Sequence, residues 1–221
     1  MRFDPSSLQA AIVDLDGTMV DTLGDFFVAL NAMLGDLHLP AVDRGFIERT
    51  VGKGSEHLIR QTLTAVGGDA RQYDAAWARY QHHYLAINGQ HSTVFAGVEE
   101  GLQRLRAAGW RLACLTNKPT AFAVPLLQRK GLAGYFSHVF GGDAFARTKP
   151  DPLPLLKTCE ALGTVPPHTL MVGDSRNDAM AAHAAGCPVA LVSYGYNHGE
   201  PVRQVPADFY VDRLDSLPLA P

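Results

Sequence analysis

Residues 12–22 read Ile-Val-Asp-Leu-Asp-Gly-Thr-Met-Val-Asp-Thr. With Ala10 and Ala11 in front, the opening residues make a short, continuous apolar run, the pattern of a strand covered on both faces. Where that run stops, three carboxylates, Asp14, Asp16 and Asp21, crowd around Gly17 and Thr18. Charges of one sign at such spacing repel, so the fold must bring something to compensate them.

Three more segments share the design: RLACLTN at 111–117, TLMVGD at 169–174 and PVALVS at 188–193, each an apolar run stopped by a polar or glycine residue. Residues 137–140 and 209–211 can add further short strands. Between them lie helical patterns at 98–108, 121–130, 152–162 and 177–185, followed by Gly109, Gly131, Gly163 and Gly186. Glycine is the usual residue one past a helix end because it takes the left-handed conformation cheaply. Strands alternating with single helices predict an α/β fold with a parallel sheet and helices on both faces. The final DRLDSLPLAP reads as a short closing helix and tail.

Residues 22–88 break the alternation. They are helical in pattern throughout, punctuated at Leu39-Pro40, Gly52-Lys53-Gly54 and Gly67-Gly68, with no convincing strand. Such a block between the first strand and the rest of a sheet reads as an inserted all-α subdomain. The expected division is a core of residues 1–20 and 89–221 and an insertion of residues 21–88.

Composition narrows the function classes. The chain has 221 residues, with 19 Lys and Arg against 22 Asp and Glu, so no global charge draws it to nucleic acid or to an anionic membrane. No run approaches the roughly 18 apolar residues that span a bilayer, and MRFDPSSLQA lacks the basic start and apolar stretch of a signal peptide. A cytoplasmic protein, monomer or homodimer, is expected. Cys114, Cys159 and Cys187 are scattered and odd in number, and read as small buried hydrophobes.

In an open parallel sheet, ligands bind at the carboxyl ends of the strands. Those ends carry Asp14 and Asp16, then Thr116 and Asn117, then Asp174 and Ser175 with Asp178 four residues on; Lys149 precedes a helix starting near Pro150 to Pro152. Read singly, Asp174 and Ser175 could be helix caps, Asp178 a solvated first-turn acid and Asp16 an Asx turn. Their joint placement favours a site. Hard oxygen donors without a His or Cys cluster select Mg²⁺. A phosphate ester could then bind through the metal, the Thr116 hydroxyl, backbone N–H groups and Lys149. Asp14, ionised at neutral pH, is free to act as nucleophile, and Asp16 can move the proton of the leaving alcohol and of the attacking water.

Asp14 to Thr18 (DLDGT), Thr116, Lys149 before Pro150, and Gly173 to Asp178 (GDSRND) resemble the four ordered motifs of the haloacid dehalogenase-like (HAD) hydrolases, over nearly the whole chain. The resemblance implies a Rossmann-like core and makes residues 21–88 a helical cap. It implies that Asp14 is nucleophile and metal ligand, that Asp16 is acid/base and binds Mg²⁺ through its backbone carbonyl, and that Asp174 completes the metal site. Asp178 would act from behind it, and Thr116, the Asn117 backbone and Lys149 would hold the phosphate.

Within that superfamily, LTNKP at 115–119, VGKGSEHLI at 51–59 and residues 173–200 are similar to bacterial phosphoglycolate phosphatases. Met19, Phe95-Ala96 and Arg147-Thr148 depart from the usual pattern, and none is a catalytic position. The implied reaction is hydrolysis of 2-phosphoglycolate. Alternatives are a phosphatase for a sugar phosphate, a nucleotide or pyrophosphate, or a β-phosphoglucomutase-like phosphomutase, which would share every catalytic residue. Asp16 and Asp174 argue against a dehalogenase, and the helical insertion argues against a receiver-type signalling domain. For specificity, Lys53 either meets the substrate's carboxylate or is a solvated turn residue, and Lys118 either lines the site or caps a helix. His82 and His83, which lack a third ligand, read as surface or cap residues beside the cap-core Tyr73, Trp77 and Tyr84. Asp21 is expected to cap the first helix of the insertion or to hold the turn into it.

Overall fold

The computed structural model describes residues 5–218. The residues at 219–221, the end of the expected tail, lie outside the described part. The chain before them ends in a 3₁₀ turn at Leu214–Ser216.

Six parallel strands form one sheet in the order β5-β4-β1-β6-β7-β8: β1 (Ala10–Val13), β4 (Arg111–Leu115), β5 (His138–Phe140), β6 (Thr169–Gly173), β7 (Val189–Val192) and β8 (Phe209–Val211). The continuous apolar runs are explained by two-sided burial. Ala11 and Val13 pack with α5 (Val98–Ala107) and α6 (Thr120–Arg129) on one face, while Ala10 and Ile12 pack with α7 (Leu153–Leu162) and α8 (Arg176–Ala185) on the other. Left-handed glycines follow these helices, at Gly109, Gly131, Gly163 and Gly186.

Register decides what the sheet can do. Val13 lies opposite Cys114 on β4 and opposite Val172 on β6. The next residues of all three strands, Asp14, Leu115-Thr116 and Gly173-Asp174, therefore leave the sheet side by side. The three cysteines are free and buried.

Residues 23–87 build four helices, α1 (Leu23–Asp36), α2 (Arg44–Thr50), α3 (Ser55–Ala65) and α4 (Tyr73–Ile87). In α1 the buried Phe26, Ala29, Leu30, Met33 and Leu34 repeat at three- and four-residue spacing, one stripe of an amphipathic helix. They pack on Ile47, Leu58, Ile59, Leu63, Tyr80 and Tyr84, and the core contributes Phe122 and Tyr196 to the same cluster. His83 is paired with Asp36 at 2.8 Å on the surface.

Sequence reading passed over one element. The chain entering the helical block, β2 (Val20–Asp21), pairs antiparallel with the chain leaving it, β3 (Thr93–Val94). Two-residue strands are too short to show alternation. Asp21 Oδ1 accepts from Leu23 N at 3.2 Å and from the Tyr196 hydroxyl at 2.7 Å, holding the turn into α1. Among the described residues, no helix is long and apolar enough to cross a membrane.

Candidate active site

The turn after β1 is tight because Leu15 O accepts from the N–H groups of Thr18, Met19 and Val20. Gly17 sits in it at φ 81°; a Cβ there would lie 2.9 Å from the Tyr196 ring and against the Asp174 carboxylate. This turn leaves the Asp14 side chain at the carboxyl end of a central strand and swings Asp16 to the Thr22 hydroxyl, which donates to its Oδ1 at 2.8 Å. From the third strand end, Asp174 Oδ2 accepts from Tyr196 N at 2.7 Å.

Lys149 is buried among these acids. Its ammonium donates to Leu115 O at 3.0 Å and to Asp178 Oδ1 at 2.7 Å, and it lies 2.9 Å from Asp14 Oδ1. The Asp14 contact is an ion pair at hydrogen-bond distance. The Asn117 side chain fixes the Lys149 backbone from both sides: Nδ2 donates to Lys149 O at 2.8 Å and Oδ1 accepts from Lys149 N at 3.0 Å. Asp178 is no solvated first-turn acid. It is fully buried, forms a capping box with Ser175, and its Oδ2 accepts from the Ser175 hydroxyl at 2.8 Å.

The electrostatics are unbalanced. One oxygen each of Asp14, Asp174 and Asp178 lies within 4.8 Å of the others. Burial pushes the Asp14 carboxyl up to about 7, with Lys149 opposing and Asp178 adding to the rise. Burial, then Asp178 and Asp14, push Asp174 well above the carboxylate range. Burial alone would lower the Lys149 ammonium, but Asp14 and Asp178 outweigh it and raise it. Three buried acids thus share one ammonium. An all-oxygen donor set in which three buried acids have one ammonium between them fits a hard divalent cation such as Mg²⁺. Asp178, with both oxygens engaged, fits a supporting place better than a ligand's.

Comparison with known proteins agrees with this arrangement. The family described as haloacid dehalogenase-like hydrolase matches residues 11–192. The chain belongs to that family. It is 42% identical over 217 residues to a phosphoglycolate phosphatase of Thiobacillus denitrificans, covering 97% of this chain and 96% of that one. To the plasmid phosphoglycolate phosphatase of Cupriavidus necator it is 44% identical over 210 residues, 95% and 91% of the two chains. The crystal structure of a predicted phosphoglycolate phosphatase from Haemophilus somnus superposes with a TM-score of 0.90 at 31% identity, covering 96% of each chain.

In this hydrolase the helical block lies over the strand ends. The crevice between them is lined by Asp14, Asp16, Thr116 and Lys118 from the core and by Phe26 and Ser55 from the helices, and it encloses about 20 Å³, room for a water molecule or two. Of the two lysines weighed for specificity, Lys118 is brought in and Lys53 is not. Lys118, with 2% of its side chain exposed, donates to Asp16 at 2.9 and 3.2 Å. Its ammonium also sits 4.5 Å from the Phe26 ring centre and 4.7 Å from that of Tyr84. Lys53 is exposed and absent from the lining, where Gly52 and Gly54 stand instead. Gly52 O accepts from Asn117 Nδ2 at 3.1 Å and from Asn177 Nδ2 at 3.2 Å. Asn177 carried no signal in the sequence beyond its place in the first turn of a helix.

Proposed function

We propose that the protein is a Mg²⁺-dependent phosphoglycolate phosphatase, with residues 21–88 as a cap over a catalytic core of residues 1–20 and 89–221. The observation that carries the chemistry is the buried group of Asp14, Asp174, Asp178 and Lys149 at adjoining strand ends. The substrate rests on the similarity to relatives named phosphoglycolate phosphatase along nearly the whole chain.

Asp14 is the nucleophile. Its carboxylate oxygen attacks phosphorus, the ester P–O bond breaks, and Asp16 gives its proton to the departing glycolate oxygen. Asp16 then takes a proton from water as the water oxygen attacks the aspartyl-phosphate, releasing phosphate and restoring Asp14. Lys149 neutralises charge on the phosphoryl oxygens in a water-poor site, where fixed charges act most strongly. The Thr116 hydroxyl and the Asn117 N–H are the remaining phosphate contacts, and Asp178 holds Lys149 in place. The Asp14 and Asp174 carboxylates and the Asp16 carbonyl would hold Mg²⁺, which supplies positive charge to set against the carboxylates and the phosphoryl group. Lys118 is the cation offered to the rest of the substrate, with Lys53 left at the rim.

The test is a comparison of kcat/KM with Mg²⁺ for 2-phosphoglycolate, sugar phosphates, nucleotides and pyrophosphate. Phosphoglycolate should lead, EDTA should abolish turnover, and Asp14→Asn should be inactive. A different best ester by about tenfold or more overturns the substrate, and an active Asp14→Asn overturns the covalent route.

A further inference from the structure

We propose that the hydroxyls of Tyr80 and Tyr84 join the Lys118 ammonium in a receptor for the carboxylate of a short anionic ester, a subsite on the cap side of the crevice. The inference rests on the phosphatase reading above and adds to it two residues that bind the tail.

Both tyrosines lie in an aromatic cluster where phenylalanine would serve as well. Tyr84 packs 4.8 Å from Phe122 and 5.5 Å from Phe26, and Tyr80 packs 5.4 Å from Tyr84, all between ring centres. Each is fully buried; the Tyr84 hydroxyl has no hydrogen-bond partner, and the Tyr80 hydroxyl has only Ser55 beside it. A buried hydroxyl short of partners destabilises a fold, so the two together in one cluster call for a ligand. Burial and then the Asp16 charge push both phenols well up, so both keep their protons and are donors only waiting for an acceptor.

The cation is already at hand. The Lys118 ammonium reaches the Tyr84 ring from the core side while bound to Asp16, and Ser55, buried at the start of α3, lines the crevice, with the two tyrosines outside its lining. An incoming carboxylate replaces one anionic partner of the ammonium with another, so the buried charge is never left alone. It also gives both hydroxyls an acceptor, in charge-assisted hydrogen bonds. A neutral tail brings no charge for the ammonium and only ordinary, not charge-assisted, hydrogen bonds to the phenols.

The test pairs 2-phosphoglycolate with 2-hydroxyethyl phosphate, of similar size and with a neutral tail, in the Mg²⁺-loaded wild type and in Tyr80→Phe, Tyr84→Phe and the double variant. Each substitution should raise KM for phosphoglycolate about tenfold with kcat little changed, and leave kcat/KM for hydroxyethyl phosphate within about twofold. Equal effects on both esters, or none on either, overturn the subsite. A wild type that hydrolyses other esters but not phosphoglycolate overturns the substrate reading and the subsite with it, whereas an active wild type with unresponsive variants overturns the subsite alone. A second measurement needs no variant: glycolate should compete with phosphoglycolate in the wild type and ethylene glycol should not, and equal potency of the two overturns the proposal.

Discussion

The ammonium of Lys149 lies 2.7 Å from Asp178 Oδ1, with 2% and 1% of the two side chains exposed. The same carboxylate closes the capping box at the start of α8 through its other oxygen. One acid therefore fixes both a helix start and the lysine that faces Asp14.

Asp178→Ala should be severely destabilised, because it strands a buried ammonium and frees the α8 N-terminus. Breaking a buried pair costs about 3–5 kcal/mol, and loss of the cap adds about 1. Urea unfolding measures it. Asp178→Asn keeps an acceptor for the Ser175 N–H and should recover part of the stability while kcat stays depressed. Equal activity in Asp178→Asn and wild type would show that Lys149 needs no anion behind it.

Metal-free stability should fall as pH rises. The folded-state pKa of Asp14 is raised to about 7 and that of Asp174 is raised well above the carboxylate range, so between about pH 4 and 7 the folded chain binds protons that the unfolded chain, with ordinary carboxylates, has released. The contribution is fully present below about pH 4 and is lost as pH climbs through the folded values. A divalent cation replaces those protons. The rise in Tm on adding Mg²⁺ should therefore be larger at pH 8 than at pH 5, by about 5 °C or more, and should shrink in Asp14→Asn. Calorimetry with and without EDTA checks both signs.

Lys118 and Lys53 should separate sharply. Lys118→Met removes a buried cation from Asp16 and should lower kcat/KM for phosphoglycolate about a hundredfold or more. Lys53→Ala removes an exposed side chain and should change it less than about threefold. Steady-state kinetics on the two variants decide it, and the reverse order would place the substrate's carboxylate on the other side of the cap.

These contrasts show where the sequence is legible. Asp14, Thr116 and Asp174 could be read because each follows a short apolar run, and parallel register places the ends of neighbouring runs together. The four glycine-stopped helices were readable for the same local reason. The β2–β3 pair was not, having two residues a side. Lys53 and Lys118 are both lysines near glycine or proline, and only the packing of α1 and α4 over the core shows which one is enclosed. Tyr84 fits the cap core by pattern, while its unpartnered hydroxyl is a three-dimensional fact. Asp178 reads singly as a solvated helix-start acid, and its place behind the site comes from the joint placement and the family resemblance, because nothing local reveals that Lys149, 29 residues earlier, reaches it.

Gly52 O is where the cap touches the catalytic machinery. It accepts from Asn117, whose amide also grips the Lys149 backbone, and from Asn177 on α8. Gly52 holds φ 106°, a conformation disfavoured for other residues, and a Cβ there would lie 3.2 Å from the His198 ring. The crevice has room for a water molecule or two, so this contact is expected to break on substrate entry and to re-form on closure. Asn177→Ala removes one of the two donors without touching Lys149. It should speed amide hydrogen exchange in residues 51–55 about three- to tenfold, the worth of one hydrogen bond, while exchange in β1 and β6 is unchanged. Gly52→Ala should open the same segment further through backbone strain. Wild-type exchange at residues 51–55 in Asn177→Ala would mean that Asn117 alone holds the cap shut.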